Sequence, residues 1–211
     1  MDETPVTVTA VHEVGPDAIA LELETPAEFD ARPGQFVKLN ATVDGEEYSR
    51  FYTISSPTVA DTFELTIGID PEGEVSPHLR DIEAGDEVVL SGPYGNAYYE
   101  DENAVVILAG GPGVGPAVGI AERALDDGGE AAIVYQDEAP IHRDRLDSLA
   151  DRGVQVELIE DVERLTEAVE VVDVTDTQVF VYGFADFLDA AMDAISAAGG
   201  EPDKAKVENF G

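Results

Sequence analysis

The sequence predicts a β + α/β chain: a six-stranded antiparallel barrel over residues 1–99, followed by a five-stranded parallel sheet over residues 100–211. Two observations predict it. The first half is a run of short apolar segments separated by turn residues, the pattern of antiparallel strands. From about Glu100 strand and helix patterns alternate strictly, which calls for parallel strands joined by right-handed crossovers.

Taken in order, the first strands are expected at 6–11, 18–24, 35–41, 48–55, 63–69 and 87–91. Pro5, Gly15-Pro16, Pro26, Pro33-Gly34, Asp44-Gly45, Pro57, Pro71 and Gly85-Asp86 punctuate them. One short helix, 76–82, is entered from Gly73. The boundary between the halves falls within 97–102. Beyond it Val105-Val106-Ile107-Leu108-Ala109 is a strand of the fully buried type, and Val114, Val118, Ala121 and Leu125 share one face of the helix that follows. The alternation continues with strand 131–135, helix 143–150, strand 154–159, helix 163–170, strand 178–182, helix 184–198 and a last strand near 206–209.

With 44% apolar residues the chain has material for a substantial core. Its 46 acidic residues against 11 basic ones give a net charge of −35, spread through every segment. Nucleic acid is therefore excluded as a partner, since phosphate binding needs a basic face. Self-repulsion on this scale is relieved when salt shortens the Debye length to about 3 Å at 1 M, so a salt-adapted protein is expected. The absence of cysteine excludes disulfides, a thiolate nucleophile and cysteine-ligated clusters. No signal-peptide pattern opens the sequence and no apolar run approaches the ~20 residues of a membrane span, so a cytoplasmic protein is expected.

Three segments carry chemistry. Arg50-Phe51-Tyr52-Thr53-Ile54-Ser55-Ser56-Pro57 places a guanidinium fork, a phenol and small hydroxyls on one strand. Arg50 and Tyr52 share a face at period two, so a phosphate clamp and an aromatic plate stand together beside the Thr53 hydroxyl. That set suits a flavin nucleotide; the competing reading pairs Arg50 with Glu46 or Glu47. Gly110-Gly111-Pro112-Gly113-Val114-Gly115-Pro116 links the first parallel strand to its helix, where a nucleotide phosphate can approach the backbone closely. Pro116 stands at the third glycine position of the dinucleotide fingerprint, and a tight strand-to-helix turn is the alternative. Gly73-Glu74-Val75-Ser76 offers amides and a hydroxyl to a second phosphate, or simply a serine helix cap. His12, His78 and His142 are too separated to propose a metal site, and His142, Arg143 and Arg145 read as solvated helix charges.

Read in order, Arg50-Phe51-Tyr52-Thr53, Gly73 to Leu79, Gly92-Pro93-Tyr94-Gly95, Gly110 to Pro116, Tyr182-Gly183-Phe184 and Glu208-Asn209-Phe210 resemble the ferredoxin–NAD(P)H reductase family. The resemblance implies a flavin-binding barrel and a Rossmann-like domain for NADH or NADPH. It assigns Arg50 to the flavin phosphates, Tyr52 to the isoalloxazine with Phe51 beside it, and Thr53 to hydrogen bonding near N5. Glu74, Val75 and Ser76 would hold the pyrophosphate of FAD, with FMN as the alternative. Gly110, Gly111, Pro112, Gly113, Pro116, Gly183 and Phe184 would frame the nicotinamide nucleotide. Tyr52, Thr53 and Phe210 are counted at the reaction centre. Three positions depart from the family: Pro112 in place of a common threonine, Tyr182 in place of a cysteine, and Phe184 in place of a proline. The Tyr182 exchange implies a differently shaped nicotinamide pocket.

The implied activity moves a hydride from nicotinamide to flavin N5 and then electrons to a separate acidic carrier such as ferredoxin. Reduction of a small acceptor (quinone, ferric chelate, free flavin) and a subunit role in a larger complex are the alternatives. Asp137 or Glu138, after the second parallel strand, would accept hydrogen bonds from a free ribose 2′-hydroxyl and so favour NADH, unless Arg143 or Arg145 folds back towards a 2′-phosphate.

Overall fold

The computed structural model describes residues 2–43 and 45–211; Met1 lies outside it, as does Asp44 of the expected Asp44-Gly45 turn. The first half forms β1 (Thr4–Gly15), β2 (Ala18–Glu24), β3 (Phe36–Val43), β4 (Glu46–Thr53), β5 (Thr62–Gly68) and β6 (Glu87–Tyr94). They make one antiparallel sheet in the order β4-β3-β6-β1-β2-β5. β1 outruns its expected span because it serves two partners. Residues 4–7 pair with β6 and residues 8–15 with β2, with register shifts between Val8 and Ala10 and between Glu13 and Gly15. Such irregularities bend a strand and sharpen its twist, which lets one strand turn the corner of a barrel.

The sheet closes just past Thr53. Ile54 bridges to Leu65, and the Ser55 amide donates to the Glu64 carbonyl at 2.8 Å, joining the two outer strands. Residues 54 and 55, expected as the end of a strand, are thus the closing joint. Inside, Leu21, Leu23, Val37, Leu39, Ile54, Leu65, Ile67 and Leu90 are buried together. α1 (Ser76–Arg80) docks through buried Leu79. It stops two residues early because Asp81 closes a tighter turn, its amide donating to the His78 carbonyl.

The second half forms β7 (Ala104–Gly110), α2 (Val114–Asp126), β8 (Glu130–Gln136), α3 (Arg143–Asp151), β9 (Gln155–Ile159), α4 (Leu165–Val169), β10 (Gln178–Gly183), α5 (Ala185–Ala197) and β11 (Lys206–Asn209). The strands are parallel, in the order β11-β10-β7-β8-β9. The apolar run of β7 follows from burial on both faces. Val105, Ile107 and Ala109 pack with α2 and α3, while Val106 and Leu108 pack with α4 and α5. The helix expected over 163–170 is divided: a 3₁₀ turn, Val162–Arg164, precedes α4.

The two sheets meet in a tight seam. A Cβ on Gly115 would lie 2.7 Å from Thr66 Oγ1, and one on Gly119 2.7 Å from the Ser55 carbonyl oxygen, so at both glycines the backbone of α2 itself lies against the barrel. Arg145 and His142 are not solvated helix charges. The Arg145 side chain is only 23% exposed and reaches across the seam. It donates to Glu64 Oε1 of β5 at 2.8 Å, to the Ser55 carbonyl at 2.7 Å, and to Glu122 Oε1 and Oε2 of α2 at 2.8 and 2.7 Å. Buried His142 shares a 2.8 Å hydrogen bond with Thr66 Oγ1, and its amide donates to the Val14 carbonyl.

Candidate functional site

β4 delivers its side chains alternately to two sides. Tyr52 packs on the barrel core, and Phe51 points outwards with 63% of its surface exposed. Together with Thr53 they form one wall of a cleft of about 390 Å³, to which β5 adds Thr66 and Gly68. The opposite wall comes from the second half: Pro112, Pro116, Phe184 and Phe210. Seven residues singled out in the sequence therefore face one space, though up to 159 positions separate them (210 minus 51). Neither the Tyr52 nor the Thr53 hydroxyl has a hydrogen-bond partner among the described residues. Burial pushes the Tyr52 phenol up to about 12, with nearby Arg50 acting the other way, so it is a neutral donor at neutral pH.

Arg50 lies on the rim of this region. Its Nη2 is 3.6 Å from Glu74 Oε2, and its Nη1 donates to the Ser49 carbonyl. Its partner is thus Glu74, not Glu46 or Glu47, and the contact brings the Gly73 to Ser76 turn beside β4. Within that turn Val75 is a core side chain. The Ser76 hydroxyl is committed to Asp70, accepting from its amide at 3.0 Å and lying 3.3 Å from its carbonyl. Ser76 is not the cap either, since Val75 holds that position and no side chain caps the helix.

A larger cleft, about 580 Å³, opens at the carboxyl ends of β7, β8, β9 and β10. The strand order puts it where β7 divides the crossovers to β8 and to β10, the switch point at which open parallel sheets bind ligands. Phe184, half exposed, lines both clefts and stacks edge-on against Phe210 at 6.1 Å. Gly110 and Gly111 form part of the floor. Around it stand five carboxylates, Asp137, Glu138, Glu160, Asp161 and Asp186, with no lysine or arginine. Asp137 also has a structural task, accepting from Tyr135 Oη at 3.0 Å and from the Ala139 amide at 2.8 Å.

The glycine loop divides between two purposes. A Cβ on Gly110 would strike the Phe187 ring at 2.6 Å, one on Gly183 the same ring at 2.7 Å, and one on Gly113 the Tyr182 carbonyl at 2.3 Å. These three glycines make room for protein. Gly111 alone among the loop's glycines faces open space, at φ +56°. Tyr182 corrects another expectation: it is fully buried behind Phe210, its hydroxyl bonded to the Ala97 carbonyl, and does not shape either cleft.

Sequence reasoning passed over Thr66 and Asp70, and gave Glu208 no role beyond its place in the Glu208-Asn209-Phe210 segment. Thr66 sits between apolar residues of β5 and reads there as an ordinary strand hydroxyl. Glu208 lines a recess of about 310 Å³ next to the first cleft with Phe36, Phe51, Thr53 and Phe210; burial raises its carboxyl above the usual range.

Residues 5–99 match the family model described as the oxidoreductase FAD-binding domain. Over these residues the chain is similar to the FAD-binding domains of oxidoreductases. Solved structures share the fold of both sheets together. A domain of Vibrio cholerae nitric oxide dioxygenase described as a flavohem-like FAD/NAD-binding domain superposes with a TM-score of 0.85 at 19% identity, covering 98% of each chain. A Neisseria gonorrhoeae ferredoxin NADP⁺ reductase with bound FAD and NADP gives 0.83 at 18% identity, covering 100% of each. At these identities the likeness establishes the fold. In sequence, the glycine betaine monooxygenase reductase subunit of Chromohalobacter salexigens is 36% identical over 125 residues, 57% of this chain. The chain spans 34% of that subunit's length.

Proposed function

We propose that the chain is a flavin-dependent NAD(P)H oxidoreductase module that delivers electrons to a separate protein, with residues 1–99 holding flavin and residues 100–211 the nicotinamide nucleotide. One observation carries this: Phe51, Tyr52 and Thr53 face Pro112, Pro116, Phe184 and Phe210 across a single cleft, and Phe184 also lines the second cleft at the switch point. The residues present fit a flavin. Two unpartnered hydroxyls and four aromatic rings line the first cleft, and the Arg50 guanidinium, bonded to the Ser49 carbonyl and 3.6 Å from an exposed glutamate, stands at its rim.

Bound flavin supplies the redox chemistry, accepting a hydride from nicotinamide and passing electrons on. The chain's own groups place and shield it. Arg50 would hold the phosphates, together with the backbone amides of Glu74, Val75 and Ser76, whose turn the Arg50–Glu74 contact brings beside it. Tyr52 would lie against the ring system, Thr53 would donate a hydrogen bond to it, and Phe210 with Phe184 would exclude water. FAD is preferred over FMN because the turn held by Arg50 and Glu74 offers a second phosphate position. The five carboxylates of the larger cleft disfavour a 2′-phosphate, and Arg145 is tied into the seam and cannot fold back to offset them, so NADH is preferred over NADPH. The Chromohalobacter relative's name, a reductase subunit, supports a protein acceptor; a small acidic carrier such as ferredoxin is the candidate. The net charge of −35 supports a cytoplasmic setting at molar salt, where screening relieves self-repulsion.

The test begins with titration of the purified chain with FAD. A yellow stoichiometric complex is expected, and Arg50→Ala should weaken it by about 1.5–3 kcal/mol, the range for a lost charged hydrogen bond. Steady-state oxidation of NADH and NADPH at molar salt, with and without ferredoxin, then gives the donor and acceptor. A chain that takes up no flavin sinks the reading, and a kcat/KM ratio favouring NADPH reverses the donor preference.

A further inference from the structure

Four bonds of Arg145 cross or flank the seam, and each ends on an element that builds a cleft wall. Ser55, whose carbonyl accepts at 2.7 Å, lies two residues beyond Thr53. Glu64 belongs to β5, which contributes Thr66 to the cleft. Glu122 belongs to α2, which contributes Pro116 on the opposite side. The glycines at 115 and 119 let the backbone of α2 come into contact with Thr66 and the Ser55 carbonyl, an approach that a Cβ at either position would prevent. The planar five-donor guanidinium ties the two sides together at this contact, binding Glu122 in bidentate fashion while its other donors hold the barrel. Glu64 is held in turn: the Ser55 hydroxyl donates to its Oε1 at 2.8 Å, and its amide donates to Ser56 Oγ at 3.1 Å.

We propose that Arg145 is a positioning residue for the electron-transfer step: it sets the separation between the flavin-side wall at Thr53 and the nicotinamide-side wall at Pro116. It touches neither cleft and acts through Ser55 and Glu122. Reacting atoms must approach to about 3–3.5 Å, and small misplacements of one wall slow such steps by roughly a hundredfold. This inference rests on the function proposed above. A lysine at 145 has one point charge and cannot serve both sides of the seam in the same geometry.

The experiment uses the full chain reconstituted with FAD, anaerobic rapid mixing with NADH, and the variants Arg145→Met, Arg145→Lys and Arg152→Met. Arg152 pairs with Asp126 at 2.7 Å, an α3–α2 ion pair that does not reach the barrel, and serves as the control. For Arg145→Met the limiting rate of flavin reduction should fall at least tenfold, and the long-wavelength charge-transfer absorbance formed on mixing with NADH should be lost. FAD affinity and flavin midpoint potential should stay within twofold and within error, respectively. Arg145→Lys should fall between, and Arg152→Met should match the parent. Independently of any cofactor, amide hydrogen exchange of the apo protein should quicken together at 54–56 and 114–121 in Arg145→Met and not in Arg152→Met. If Arg145→Met does not fold, Glu122→Gln, which loosens only the α2 side, carries the same expectations. An unchanged reduction rate and charge-transfer band in a folded variant overturns the proposal, as does a loss of FAD affinity parallel to the loss of rate. A parent protein that NADH does not reduce overturns the proposed function instead, and coupled exchange in the apo protein would then still report the seam.

Discussion

Arg50 stands on the rim of the flavin-side cleft with its side chain 47% exposed and one glutamate at 3.6 Å, whereas Arg145 lies in the seam, 23% exposed, between two glutamates at 2.7 and 2.8 Å. Both belong to the same acid-rich sequence, and each has acidic residues close by in the chain. Those neighbours decide nothing. Glu46 and Glu47 are directly N-terminal to Arg50's segment, yet the structure gives Arg50 to Glu74; Arg145 passes over Asp144 and Asp147 for residues 81 and 23 positions away. What separates a ligand-ready arginine from a structural one is how many of its donors the fold has already used.

The largest expected effect follows directly from that. In the apo protein at molar salt, Arg145→Met should cost about 3–5 kcal/mol of stability, because Glu64 and Glu122 are left facing each other without a cation in a half-dry seam. Arg50→Met should cost less than about 0.5 kcal/mol, as expected for an exposed site away from the core. Denaturant unfolding of the two variants checks this. Equal losses would erase the distinction between the two sites.

This contrast also marks what the sequence could and could not convey. The barrel strands, the order of the α/β units and seven residues of the first cleft were legible because each rests on local pattern: alternation around Arg50, a buried run at 105–109, a glycine loop between strand and helix. The seam was not legible. Gly113 and Gly115 look like phosphate-loop glycines, but the first meets the Tyr182 carbonyl and the second Thr66, contacts that exist only once distant elements pack. Tyr182 sits in a motif position that implies a pocket role; strand alternation instead turns it to the buried face behind Phe210. Ser76 has the composition of a phosphate donor or cap, and its hydroxyl is used by Asp70, six residues back.

A second way to sharpen the comparison uses pH. His142 lies in the seam near Arg145, bonded to Thr66, and burial together with that cation depresses it to about 3, against 6.5 for the free imidazole. The folded state therefore binds the proton less readily than the unfolded state. Stability from this group is fully present above about pH 6.5 and is lost progressively as pH falls towards 3. Other groups of this acid-rich chain also take up protons as pH falls, so the comparison must be with a variant. Between pH 7 and 5 the melting temperature of the parent should fall more steeply than that of His142→Gln, which has no group to protonate. Parallel slopes would remove His142 from the seam's acid response.

The smallest expected effect is at the rim. The Arg50–Glu74 pair is exposed on both sides, and such pairs are worth roughly 0–1 kcal/mol and weaken with salt. Glu74→Gln should therefore leave stability within about 0.5 kcal/mol of the parent. Its effect on flavin affinity is more telling. If the Glu74 side chain merely shares Arg50 with the phosphates, while the backbone of the turn does the binding, removing the carboxylate frees the guanidinium and takes away a like charge. FAD should then bind a few-fold more tightly in Glu74→Gln at low salt, and the gain should vanish near 1 M, where the Debye length of about 3 Å is shorter than the pair itself. The Arg145 bonds, being short and mostly covered, should show no such salt dependence. FAD titrations of parent and variant at low and molar salt measure it, and weaker binding in Glu74→Gln would mean that the side chain itself helps to hold the ligand.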